Sequence, residues 1–127
     1  MSFFKYINPK DNTTVYCYIR CTGATINSLG ICFGEENTIE VIEWPKVKWQ
    51  HGEIPVSKEL VLSGVKSRLA VLKGQNEHYG TDYKISKIYF QPSDSPLKSA
   101  YQLLTGTIIR HYIGGGEFKE RQPPKWD

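Results

Sequence analysis

A nucleophile and its base, the least that covalent catalysis requires, would have to come from Cys17, Cys21 and Cys32 together with His51, His78 and His111. Cys17 and Cys21 fall in a stretch of strict alternation and share a face with Val15 and Ile19, so they read as core thiols. A thiol packed in a core behaves as a small hydrophobe. Three cysteines with no CxxC pair and no accompanying histidine spacing imply neither a disulfide framework nor a zinc site. Acid–base work by paired carboxylates points to Glu35 with Glu36, or to Asp82 with Asp94. Adjacent glutamates in a turn are solvated, and Asp94 in Ser93-Asp94-Ser95-Pro96 is placed to cap a helix. Gly114-Gly115-Gly116 follows a helical pattern, whereas a phosphate loop precedes its helix, so the run reads as a stop. No catalytic residue, metal ligand or cofactor motif is assigned.

The elements that must position any site are read from periodicity. Phe3 to Ile7, Thr13 to Thr22 and Ile26 to Phe33 read as strands rich in β-branched and aromatic residues. Gly34-Glu35-Glu36-Asn37 reads as a hairpin turn into a fourth strand, Thr38 to Trp44, which Pro45 ends. Ser57 has the form of a helix N-cap; Val61, Val65, Leu69 and Leu72 recur at helical spacing, and Lys73-Gly74 supplies the stop. A polar loop, Gln75 to Asp82, leads to a strand over Tyr83 to Gln91, where the changed parity of Ile85, Ile88 and Phe90 signals a bulge. Leu97, Ala100, Tyr101, Leu104, Ile108 and Tyr112 make a last helical stripe. The expected fold is α+β, a mostly antiparallel sheet of about five strands with two helices on one face, in the order β-β-β-β-α-β-α. Residues 1–116 form the domain, and 117–127, with six charges and Pro123-Pro124, a polar tail.

At 127 residues, 39% hydrophobic and 13% aromatic, the chain has material for one core. With no apolar run of membrane-spanning length and no signal-peptide pattern at its start, the expected location is the cytoplasm, away from membranes. The net charge of +3 is mild, but its distribution is uneven. Glu35, Glu36, Glu40 and Glu43 crowd one stretch, and Trp44 and Trp49 flank its end. This set is the candidate partner-binding face: carboxylates steer association and tryptophans anchor it. The alternative set, Lys46, Lys48, Trp49, Lys66 and Arg68, interleaves cations with an aromatic ring as nucleic-acid binders do. A hydrolase built on one of the cysteines is a third reading.

Ile54-Pro55, Val61, Gly64 and Leu69, the strand around Ile85 and Ile88, and Asp94-Ser95 with Ala100 are together similar to domain IV of elongation factor G. Over residues 54–112 this resemblance implies a βαβ unit with two helices on one face of a sheet. The glycine-rich segment of that domain's first strands has no counterpart here, and translocation activity is not carried over. In general character, the chain resembles small bacterial immunity proteins, including those of contact-dependent inhibition. That likeness implies a cytoplasmic, non-catalytic protein whose partner is a cognate toxin domain, neutralised by occlusion.

Overall fold

The computed structural model describes residues 2–6, 16–21, 27–43, 56–90 and 98–120. Within them the chain runs β1 (Ser2–Tyr6), β2 (Tyr16–Cys21), β3 (Asn27–Gly34), β4 (Glu40–Glu43), α1 (Lys58–Lys66), α2 (Leu69–Tyr79), β5 (Lys84–Phe90), α3 (Lys98–Ile113) and β6 (Lys119–Glu120). The strands form one mixed sheet in the spatial order β4-β5-β3-β2-β1-β6. β1, β2 and β3 are an antiparallel meander, and β5 is antiparallel to β3. Both outermost pairs, β4 with β5 and β1 with β6, are parallel.

Among the described residues six strands in a mixed sheet and three helices replace the expected five-stranded, mostly antiparallel sheet with two helices, and the differences arise at three places. First, β3 and β4 are not a hairpin, because β5 lies between them. The connection instead crosses the start of β5 and is clipped to it. Ile85 N donates to Asn37 Oδ1 at 2.8 Å, Thr38 Oγ1 donates to Ser86 O at 2.8 Å, and Ile39 N donates to Ile85 O at 3.2 Å. Ile39 takes φ of 47° at this corner, a conformation costing a β-branched residue about 1–3 kcal/mol and held here by those three bonds.

Second, the helical stripe from Val61 to Leu72 is two helices. Ser57 caps the first, its Oγ accepting from Leu60 N at 3.2 Å. The break follows where Ser67 Oγ donates to Gly64 O at 2.7 Å and Arg68 N turns back to Val65 O, an i→i+3 bond. Third, α2 runs through Gly74 and ends at Gly80, whose φ of 66° allows the left-handed cap. Residues 75–79, expected in a loop, are its last turns.

The parity change in β5 is a bulge: Ile85 faces Phe33 and Lys87 faces Cys32, leaving Ser86 as the extra residue, with its Oγ donating to Cys32 O at 3.0 Å. α3 lies across β3 and β2, α1 packs on β4, and both α1 and α2 pack on α3. Leu29, Ile31, Phe33, Ile85, Ile88 and Phe90 of the sheet close one core with Val61, Val65, Leu72, Tyr101, Leu104 and Ile108 of the helices. α3 ends in a Schellman turn, Gly116 N donating to His111 O and Gly115 N to Tyr112 O. Of the segment assigned to a tail, Lys119–Glu120 pair with β1, while residues 121–127 lie outside the described residues.

Candidate functional site

The β3–β4 connection brings four carboxylates to one margin of the sheet. Glu35 and Glu36 occupy the bend after β3, Glu40 opens β4 and Glu43 closes it; all four are exposed. β4 is an edge strand, with β5 on one side and no described strand on the other. Three apart on a strand, Glu40 and Glu43 project to opposite faces, so the carboxylates form a rim around an edge rather than a flat face. Among the described residues none of the four is within ion-pair distance of a cation; the ion pair found there is Lys84 Nζ with Asp82 Oδ2 at 3.6 Å. Charges along an edge also keep it from pairing with another sheet, which is what such a rim does with no partner at all.

A recess of about 340 Å³ opens beside the same connection, between α2 and the start of β5, lined by Asn37, Lys73, Asn76, Glu77, Asp82 and Lys84 among others. Asn76 forms its floor. Its Nδ2 donates to Tyr83 O at 2.9 Å, and its Oδ1 accepts from Thr81 Oγ1 at 2.9 Å and Tyr83 N at 3.0 Å. The amide is thereby spent on the 80–83 turn. Behind it Tyr83 meets a ring cluster: Phe33 stacks on Tyr112 at 4.3 Å, and Tyr83 stands edge-on to both, at 6.0 and 5.0 Å. Lys73, Glu77 and Asp82 are the exposed charges of the recess.

Of the residues singled out in the sequence, the structure brings together Glu35, Glu36, Glu40 and Glu43. Trp44, Lys46, Lys48, Trp49 and His51 lie outside the described residues, as does Asp94. Lys66 is exposed at the end of α1, and Arg68 is half-buried, its Nε donating to Gln102 O at 3.3 Å. Cys32 is buried in β3, and Cys17 and Cys21 belong to β2. His111 Nε2 lies 2.6 Å from Glu117 O with its ring edge-on to Phe118, and His78 packs edge-on to Tyr79. No three His, Cys, Asp or Glu residues converge as a metal site among the described residues. No described helix is long and apolar enough to cross a membrane.

Sequence reasoning passed over Asn37 and Asn76, which fall in stretches read as turn and loop; a clue to Asn76 was Gly80-Thr81 downstream, a left-handed stop with a hydroxyl beside it. It also passed over Arg110, whose guanidinium stands over Gly106, a glycine inside an otherwise apolar helical stripe. No family model, curated protein or solved structure matches the chain.

Proposed function

We propose that the chain is a non-catalytic binding protein of the immunity type, which neutralises a toxin domain by covering it. The observation that carries this reading is the acidic rim: four exposed carboxylates without ion-pair partners among the described residues, set around an edge strand held by the Asn37, Thr38 and Ile39 clip. A basic toxin surface is attracted to the rim, and an extended basic segment can also pair with the outer edge of β4. Trp44 follows Glu43 directly and supplies an anchor of the kind that dominates interface energies.

The test begins with the adjoining reading frame. Its product is expressed alone and with this chain, and growth and co-purification are scored. Protection is expected from the parent. Glu35→Gln, Glu36→Gln, Glu40→Gln and Glu43→Gln combined should slow association about tenfold or more at low salt, with an unchanged unfolding midpoint. A harmless neighbour, or full protection by the fourfold variant, would overturn the reading. The nucleic-acid alternative keeps Lys66 and Arg68 on the described helical layer, where Lys58, Lys66, Arg68, Lys73, Lys98 and Arg110 outnumber Glu59 and Glu77. Binding that weakens steeply with salt would mark it.

A further inference from the structure

Gly106 sits in the interior of α3, where glycine is less favourable than alanine. The residue is buried, and what it makes room for is two arginines. A Cβ at this position would stand 3.3 Å from Arg110 Nη1, 3.9 Å from Arg110 Cζ and 4.0 Å from Arg68 Cδ. Arg110 rises from one turn further along α3, and Arg68 reaches over from the α1–α2 junction. Two positive side chains therefore converge on one bare stretch of helix. Arg68 donates from Nε to Gln102 O, one turn before Gly106, and its terminal nitrogens make no hydrogen bond among the described residues. The single ion pair among the described residues lies elsewhere, at Lys84 and Asp82, so no described carboxylate balances either guanidinium.

Two cationic side chains set against one helix position, with no described carboxylate beside them, favour an anion that accepts from both. A carboxylate neutralises one guanidinium. A phosphate group, with up to two negative charges and three free oxygens, matches two planar donor forks at once.

We propose that Arg68 and Arg110 form a phosphate site over Gly106, on the helical layer and built from other residues than the acidic rim. The site takes the phosphate of a nucleotide or of a nucleic-acid backbone. Each arginine donates through its terminal nitrogens, while the absent Gly106 side chain lets both arginine side chains lie low against the helix and so sets where they meet the phosphate. Lys66, exposed at the end of α1, adds positive potential on the same layer. Because the proposal uses none of the rim glutamates, it and the toxin-binding reading fail separately.

The test follows the Nε–H resonances of Arg68 and Arg110 in the full chain by NMR. The titrants, at constant ionic strength, are inorganic phosphate, a nucleoside monophosphate, a single-stranded RNA oligonucleotide and acetate. Saturable shifts of both resonances with phosphate are expected, and weaker, non-saturating ones with acetate. Tighter binding of the mononucleotide identifies a free nucleotide as the source, and tighter, salt-steep binding of the RNA identifies backbone phosphate. Arg68→Gln and Arg110→Gln should each weaken phosphate binding about tenfold. Gly106→Ala is the decisive variant: it should raise the unfolding midpoint, because the exposed Arg110 head can swing away, and yet weaken phosphate binding. Equal responses to acetate and phosphate, undiminished binding by the arginine variants, or undiminished binding by Gly106→Ala would each overturn the proposal.

Discussion

Replacing Gly64 by alanine places a methyl group where α1 and α3 cross. Its Cβ would stand 2.8 Å from Tyr101 Cβ and 3.4 Å from both Gln102 N and Lys98 O. Non-bonded carbons rest about 3.5–4.0 Å apart, so the helices must separate by roughly 0.7 Å or more along that line. Tyr101 is fully buried and its Cβ is tied to the backbone, so no rotamer change relieves the contact. Overpacking of this kind costs about 1–3 kcal/mol, and the helix-propensity gain of alanine over glycine offsets about 1 kcal/mol of it. The expected net loss is up to about 2 kcal/mol, a midpoint lower by up to roughly 10 °C for a domain of this length. Gly74, inside α2, is the control, since nothing lies within 4 Å of a Cβ there. Gly74→Ala should stabilise by about 0.5–1 kcal/mol. Urea and thermal unfolding of both variants, followed by far-ultraviolet circular dichroism, measure the two signs. A Gly64→Ala protein stabilised as much as Gly74→Ala would refute the close approach of α1 to Tyr101.

Asn76→Ala removes three hydrogen bonds and leaves Tyr83 N and O without their partner, so a loss of about 1–3 kcal/mol is expected in urea titrations, with earlier amide exchange at residues 81–83. Gly80→Ala forces a Cβ into the left-handed cap at φ 66° and should cost about 1 kcal/mol by strain alone, since the space around it is open. A midpoint unchanged from the parent would show that α2 can end elsewhere. The loss of protection on removing the rim carboxylates and the opposed effects of Gly106→Ala on stability and phosphate binding complete the set.

Signals that depend on neighbours in sequence were legible. Ser57 capping, the bulge in β5 and the stop at Gly114-Gly115-Gly116 each need only a few residues, because a side chain or a glycine acts on backbone within one turn of itself. The acidic cluster was legible for the same reason. Gly74 misled because a glycine at the end of an apolar stripe looks like a stop, whereas helix α2 continues to Gly80, after which Asn76 ties down the 80–83 turn.

What the sequence by itself determined is therefore local: α+β character, the Ser57-capped start of α1, the glycine stop after α3, and a rim of glutamates between β3 and the end of β4. Only the tertiary structure decided that β5 enters between β3 and β4. That insertion is fixed by bonds from Asn37, Thr38 and Ile39 to residues nearly fifty positions away, and it turns a hairpin into a parallel edge. It decided too that Arg68 and Arg110 meet over Gly106. Charges from a helix and from the junction of two others converge through packing geometry, and no local periodicity encodes how close helices come.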